Sequence, residues 1–289
     1  MSLPVSVPAT WPAPAKINLF LHVLGRREDG YHRLQTLFQF LDYGDELSFE
    51  LRRDGVIARP EGAAEVPADQ DLVVRAARAL QTASGCTQGV DIRLLKRTPM
   101  GAGLGGGSSD AATTLVALNQ LWGLGLGVDA LAALGLQLGA DVPVFVRGFA
   151  AWAEGVGELL SPVLLPEPWY AVIAPDVQVS TAAIFSAPAL RRDHPPITLE
   201  DYEHGLGVND CAPVTCALYP DVAAALGWLS RAAPSRMSGT GSAVFAEFAD
   251  ERAARAAIEG IPKNWRGFVA RGLNLSPLAS MDPARRIHQ

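Results

Sequence analysis

Five glycines occupy the seven positions Gly101 to Gly107, and two serines follow at once. The run reads Pro99-Met100-Gly101-Ala102-Gly103-Leu104-Gly105-Gly106-Gly107-Ser108-Ser109-Asp110. Ahead of it, Val90-Asp91-Ile92-Arg93-Leu94 alternates apolar and polar residues as a half-buried strand does. Behind it, residues 111–122 are proline-free with apolar side chains near helical spacing, which predicts a helix. A loop without Cβ atoms lets backbone N–H groups approach a ligand closely. The first turn of the helix adds unpaired N–H groups and the positive end of a dipole. Together these make a device for holding phosphate. The plainer reading is a hinge with Ser109 or Asp110 as an N-cap, yet a cap needs one such residue and a turn one or two glycines. Gly101-x-Gly103-x-x-Gly106 also fits the dinucleotide-binding expression and raises a nicotinamide-dependent oxidoreductase as a rival. That fingerprint comes late, after an incomplete set of βα units, and is one glycine too rich. A Walker A loop is excluded, because Ser108 rather than lysine follows Gly107.

Three other stretches carry groups that could do chemistry. In Pro14-Ala15-Lys16-Ile17-Asn18-Leu19-Phe20-Leu21-His22-Val23, Ala15, Ile17, Leu19, Leu21 and Val23 share one face of a strand. Lys16, Asn18, Phe20 and His22 share the other, which is either a solvated face or the wall of a cleft. In the charged turn Gly25-Arg26-Arg27-Glu28-Asp29-Gly30-Tyr31-His32, a flat ring precedes an imidazole. Tyr31 is either an anchoring aromatic or, with His32, a stacking platform with a hydrogen-bonding edge. In Ala140-Asp141-Val142-Pro143-Val144-Phe145-Val146, a carboxylate stands at the mouth of an apolar segment. Asp141 is either a turn or cap residue or a partly desolvated base.

The elements that must position these groups follow from the same patterning. Strands are expected at 34–40 and 46–51, joined by a turn at 42–45, and a loop at 53–69. Helices are expected at 71–82 and 128–138, and a turn at 154–158. The proline-rich stretch 164–169 marks a boundary between two halves, 1–163 and 164–289. The second half reads as a strand at 169–173, a short helix at 179–185 and a loop at 193–196. A helix at 221–231, a glycine-serine turn at 235–242, a strand at 243–246, a helix at 251–259 and a strand at 265–270 complete it. Beyond Pro277 the polar tail is expected to fray.

Composition bounds the function. With 49% hydrophobic and 19% charged residues over 289 positions, the chain can bury large cores. A net charge of −6 and the lack of any lysine- or arginine-rich run exclude nucleic acid as a partner class. No apolar run reaches membrane-spanning length, and residues 1–14 lack the basic start of a signal peptide. Three cysteines without a CxxC pair predict no zinc site and reduced thiols in the cytoplasm. No protein partner is evident, and no cage of metal ligands.

Three elements stand in order: a Pro-Ala-Lys strand, a proline-led glycine-serine loop before a helix, and a late Ser238-Gly239-Thr240-Gly241 turn before a strand. In this the chain resembles the GHMP kinase superfamily. Asp29-Gly30-Tyr31-His32, Gly139-Ala140-Asp141-Val142-Pro143, Glu154-Gly155-Val156-Gly157-Glu158, Ile184-Phe185 and Asn209-Asp210-Cys211 narrow the resemblance to the branch acting on a cytidine diphosphate sugar alcohol. It covers residues 11–277. It implies a two-domain α+β fold, the N-terminal half ribosomal-protein-S5-like and the C-terminal half ferredoxin-like, with the active site in the cleft between. It implies a kinase that passes the γ-phosphoryl of ATP, with Mg²⁺, to the 2-hydroxyl of a methylerythritol unit on the non-mevalonate route to isoprenoid precursors. By position, Asp141 resembles the family's catalytic base and Lys16 its partner. Pro99 to Ser109 resembles the ATP phosphate cradle, with Lys96 and Asp71 near the adenine. Asp71 departs from the asparagine expected there, and a carboxylate cannot donate as an amide does. Tyr31 and Phe185 resemble a pair of rings that sandwich cytosine, and His32 the residue that reads its edge. Asn18, Val156 and Thr181 resemble residues lining the substrate pocket.

Overall fold

The computed structural model describes residues 10–62 and 66–281. Most of the proline-rich opening and the tail from 282 onward lie outside the described residues. In chain order the first half holds β1 (Trp11–Arg26), β2 (His32–Arg52), β3 (Ile57–Glu61), α1 (Leu72–Ser84), β4 (Gly89–Leu95) and α2 (Gly106–Leu121). It continues with α3 (Val128–Leu136), α4 (Val142–Arg147), β5 (Ala151–Glu154) and β6 (Leu159–Pro162). After the proline-rich stretch come β7 (Trp169–Pro175), α5 (Thr181–Ser186), and α6 (Leu199–Asp201), which runs into a π-helical turn at Tyr202–Leu206. Then follow α7 (Ala212–Leu218), α8 (Pro220–Leu229), β8 (Ser235–Met237), β9 (Val244–Phe248), α9 (Glu251–Ala257) and β10 (Trp265–Leu273).

The sheet is organised around β2. Its path is β3-β4-β2-β10-β7-β9-β8, and β1 and β5 also pair with β2. The expected turn at 42–45 is absent: β2 runs through it, with Gly44 opposite Pro14 of β1. Local residue types favour a turn there, but continuous pairing to β1 and then β4 overrides them. The loop expected at 53–69 likewise contains β3, which pairs parallel to β4. Leu278 is fully buried in the first core and a 3₁₀ turn follows at Ala279–Met281, so the chain past Pro277 stays anchored that far.

Among the described residues, three apolar clusters hold the fold. One packs α1, α2 and α4 on the sheet of the first half, with Val73, Leu80, Leu115, Phe145 and Phe40 at its centre. A second fills the other half around Ile173, Ile184, Val222 and Val244. The third joins the halves, setting Ile17, Phe20 and Leu37 against Tyr170, Val172 and Phe245. Burial of β1 on both faces follows: Ile17 and Phe20 belong to opposite faces by alternation, and both are at most 1% exposed. The solvated-face reading of Lys16 and Asn18 is therefore excluded, since each is 3% exposed.

Candidate active site

The glycine run is not all loop. Gly105, with φ 70°, is the N-cap of α2, and the helix begins at Gly106. The first bond across the cap is Ser109 N–H to Gly105 O at 2.8 Å. The N–H groups of Gly106, Gly107 and Ser108 therefore have no intrahelical acceptor, and no side chain caps the helix. Neither Ser109 nor Asp110 serves as the cap, so the hinge reading fails. Upstream, Gly103 (φ 72°) passes so close to Ser238 that an added Cβ would lie 2.2 Å from its carbonyl oxygen. Ser238 Oγ donates to Gly103 O at 2.8 Å, and Ala243 N–H donates to Ala102 O at 2.9 Å. The late Ser-Gly-Thr-Gly turn thus clamps the phosphate-type loop.

Below the loop lies a buried charge cluster. Lys96 Nζ donates to Asp45 Oδ2 and Asp110 Oδ2, each at 2.6 Å. Asp45 Oδ1 also accepts from the backbone N–H groups of Arg97 and Thr98, at 2.6 and 2.7 Å. Burial pushes the Asp110 carboxyl up to about 8, against the pull of Lys96. Burial opposes the Lys96 charge, but Asp110 and Asp45 outweigh it and hold the ammonium above its ordinary value. Asp45 thereby fixes the segment that leads into the glycines, a role its place in an apparent turn concealed.

Lys16 enters from β1. Its ammonium has three donors, and it meets Asn18 Oδ1 at 2.6 Å, Gly103 O at 3.0 Å and Asp141 Oδ2 at 3.2 Å. Phe38 lies beneath it, with Nζ 5.3 Å from the ring centroid. Asn18 is held in turn, its Nδ2 donating to Thr36 Oγ1 at 2.9 Å. Asp141 stands at the start of α4, a six-residue helix with proline in its first turn, yet its carboxylate makes no cap bond to that helix. It faces Lys16 with its side chain one-third exposed. A cation locked by three acceptors beside a solvent-reachable carboxylate can take charge from a hydroxyl placed between them while the carboxylate accepts its proton.

Two cavities flank this pair. One, of about 430 Å³, is lined by Pro99 to Ser108, Lys96 and Asp71. The other, of about 710 Å³, is lined by Lys16, Asn18, Tyr31, His32, Asp141, Val156, Thr181 and Phe185. They share Gly103, Ser108 and Asp141. Of the residues singled out in the sequence, Ser109 does not reach either wall. Because α2 starts at Gly106, Ser109 falls at its fourth position and is wholly buried. Asp71 is committed to structure: its Oδ1 accepts from Val73 N–H at 2.9 Å, capping α1, and its Oδ2 lies 3.0 Å from Arg59 Nε. In the larger cavity His32 stacks on Phe185, with ring centroids 5.1 Å apart, while Tyr31 is 66% exposed. Thr181 Oγ1 lies 3.0 Å from Thr240 Oγ1. Thr36, Phe38 and Arg192 also line this cavity and were not marked in the sequence, and Thr240 was marked only as part of the late turn. Alternation in β2 put Thr36 and Phe38 on one face, but only the pairing of β2 with β1 shows that this face is the cavity's.

Comparison with known proteins places the chain in one family. A model of the GHMP kinases N terminal domain matches residues 71–149, and one of the GHMP kinases C terminal matches residues 186–267. The chain is 58% identical over 268 residues to the 4-diphosphocytidyl-2-C-methyl-D-erythritol kinase of Nitrosococcus oceani, covering 93% of this chain and 96% of that one. It is 58% identical over 274 residues to the enzyme of that name from Pseudomonas aeruginosa, covering 95% and 97%. A crystal structure of 4-(cytidine 5'-diphospho)-2C-methyl-D-erythritol kinase superposes with a TM-score of 0.80 at 36% identity, over 91% of this chain and 99% of that one. The homoserine kinase of Cytophaga hutchinsonii shares the fold, with a TM-score of 0.68 at 18% identity, over 96% and 98% of the two chains.

Proposed function

The chain belongs to the GHMP kinase family, and from that premise we propose that it phosphorylates the 2-hydroxyl of 4-diphosphocytidyl-2-C-methyl-D-erythritol with ATP, on the non-mevalonate route to isoprenoid precursors. The observation that carries the proposal is the junction of the two cavities at Gly103, Ser108 and Asp141. The smaller cavity takes ATP, its phosphates lying on the N–H groups of Gly106, Gly107 and Ser108. The larger takes the cytidine substrate. The γ-phosphate and the acceptor hydroxyl then meet where the walls join, beside the Lys16–Asp141 pair.

The residues divide the work as phosphoryl transfer requires, mostly by positioning and charge stabilisation. Asp141 accepts the hydroxyl proton as the oxygen forms its bond to the γ-phosphorus and the bond to the β-phosphate oxygen breaks, releasing ADP. Lys16, fixed by Asn18 and Gly103 and 3.2 Å from Asp141, faces the developing alkoxide. The α2 N-terminus bears charge on the transferring group. Tyr31 and Phe185 offer faces to the base, His32 a polar edge, and Asn18, Val156 and Thr181 line the path to the sugar alcohol. Lys96 and Asp71 border the nucleotide cavity, where Lys96 braces the loop from below.

Mg²⁺ fits this arrangement as an ion that arrives with ATP. Among the described residues no group of three His, Cys, Asp or Glu side chains could hold a metal. An ion coordinated chiefly by phosphates and water needs no such cage. Ser108 and Asp141, which border both cavities, are the side chains that would face it, and its charge would offset that of the phosphates. The division of labour supports a boundary at 163/164, with residues 1–163 carrying the loop and the Lys16–Asp141 pair and the half 164–289 supplying Thr181, Phe185 and Arg192 to the substrate pocket, while Leu278 returns to the first core. Two small-molecule substrates suffice for this reaction, which we place in the cytoplasm as the reduced-thiol reading of its three cysteines suggests. No described helix is long and apolar enough to cross a membrane.

A coupled ADP-release assay tests the proposal. Turnover is expected with the cytidine diphosphate sugar alcohol and none above background with cytidine diphosphate alone. Equal ADP release with and without the sugar alcohol would overturn it.

A further inference from the structure

Arg192 lies in the loop after α5 and lines the larger cavity. Its guanidinium is held by four hydrogen bonds. Nη2 donates to Phe185 O and Ala187 O, each at 2.8 Å, and Nη1 to Leu190 O at 3.0 Å. The fourth runs from Nε to His32 Nε2 at 3.1 Å. Three backbone carbonyls thus fix the fork so that its remaining bond points at one ring nitrogen. Arginine has no acceptor and does not lose its proton in proteins. His32 Nε2 must therefore present a lone pair, and in the neutral ring the proton sits on Nδ1. Burial, and then the charges of Arg192 and Arg26, hold the His32 imidazolium below its usual range, which favours that neutral ring. Among the described residues Nδ1 has no hydrogen-bond partner, and the ring is stacked on Phe185.

The two pyrimidines differ at N3, which is a bare acceptor in cytosine and an N–H donor in uracil. A fixed Nδ1–H donor suits the first and confronts the second with donor against donor. The opposite tautomer would present a lone pair at Nδ1 and reverse the match. We propose that Arg192 is a specificity-determining positioning residue: it locks His32 as the Nδ1–H tautomer, so that His32 donates to N3 of cytosine and rejects uracil. The inference rests on reading the larger cavity as the cytidine site.

The ¹⁵N resonances of the His32 ring, recorded on the free protein, read the tautomer without turnover. Wild type is expected to show a protonated Nδ1 and an unprotonated Nε2, and Arg192→Met a mixture of tautomers. In parallel, kcat/KM is measured for the cytidine substrate and its uridine analogue. A site that leaves a buried polar group unpaired with the wrong ligand discriminates strongly, so in Arg192→Met the cytidine preference should fall by about tenfold or more. Arg192→Lys, which can still donate to Nε2, should keep part of it. A merely structural role in holding the carbonyls after α5 would weaken both substrates equally and leave the ratio unchanged. That outcome overturns the proposal, as does a wild-type ring protonated on Nε2. Should Arg192→Met fail to fold, the wild-type resonances and Arg192→Lys still decide it. Failure of the cytidine substrate to turn over at all would instead strike the proposed function and leave the tautomer reading standing.

Discussion

Replacing Asp141 by asparagine removes a proton acceptor and a negative charge, and very little else. The amide keeps an oxygen at the position of Oδ2, so Lys16 retains an acceptor 3.2 Å away besides Asn18 and Gly103. Asp141 makes no cap bond to α4, so that helix loses nothing. The carboxylate is one-third exposed but Lys16 only 3%, so losing the negative charge costs more than a surface pair and less than a fully buried one, on the order of 1–3 kcal/mol of stability, at roughly 2–4 °C in Tm per kcal/mol. The catalytic effect is of another size. A positioned general base contributes roughly 10²–10⁴-fold, equivalent to about 2.7–5.4 kcal/mol of barrier at 1.36 kcal/mol per tenfold. Steady-state ADP release with both substrates varied should show kcat falling by that factor, while KM for ATP and for the cytidine substrate moves little. A thermal melt on the same preparation checks the fold. A kcat within tenfold of wild type, with a cooperative melt, would refute the assignment of Asp141 as the base.

Lys16→Ala should lower kcat by a similar factor and also cost stability, because Asn18 Oδ1 and Gly103 O lose a buried donor. Lys16→Arg should recover only part of the rate, since a planar fork cannot replace one compact charge between three acceptors, and urea melts beside kcat separate the two effects. Gly106→Val should abolish ATP binding, read by calorimetry, while circular dichroism is retained. Gly106 itself is ordinary helix, and the obstacle is space: an added Cβ would lie 2.9 Å from Thr98 Cγ2 and 3.0 Å from Lys96 Nζ. Tyr31→Ala should weaken the cytidine and uridine substrates alike by about 1–3 kcal/mol, as for other base–aromatic stacks, and unequal losses in KM would count against a stacking role. His22 should make stability depend on pH. Burial, then the charge of His194, lowers its pKa from 6.5 to about 4, with Asp210 opposing. The folded state therefore resists a proton that the unfolded chain accepts. The stabilisation is fully present above pH 6.5 and is lost as pH falls toward 4, by up to about 3 kcal/mol. Urea unfolding at pH 7 and pH 4.5 should show a smaller loss for His22→Phe than for wild type, and equal losses would remove His22 as the cause.

Much of the candidate site was legible because its proposed chemistry is concentrated in short runs. The glycine loop, Lys16, Asp141, Tyr31 and His32 each sit in a stretch whose residue types are costly to place without a purpose. What stayed hidden depends on pairing across the chain. Asp42-Tyr43-Gly44-Asp45 has every local mark of a turn, and only the register of β2 against Pro14 and then β4 makes it strand. Asp45 therefore looked like a turn residue rather than the anchor of Arg97, Thr98 and Lys96. Arg192 lay in an unpatterned loop, 160 positions from the His32 it touches. The start of α2 was misplaced by several residues because glycine argues against helix on propensity alone, and a bare N-terminus is what an anion site needs.

The strand that carries Lys16 ties its burial to the reactivity proposed for it. A lysine 3% exposed is costly to bury unless its donors are met. Each of its three donors instead meets an oxygen from a different part of the chain: its own strand, the glycine loop and the entrance of α4. Asn18 Oδ1 is held by the bond from Asn18 to Thr36, and Gly103 O by Ser238 from the other half of the molecule. The ammonium therefore cannot turn away when substrate arrives, and no reorganisation is left for the moment of transfer. Loosening the clamp at a distance should then cost rate before it costs fold. Ser238→Ala removes only the bond to Gly103 O and the bond from Asn18 N–H, so its kcat should fall while its binding constants hold.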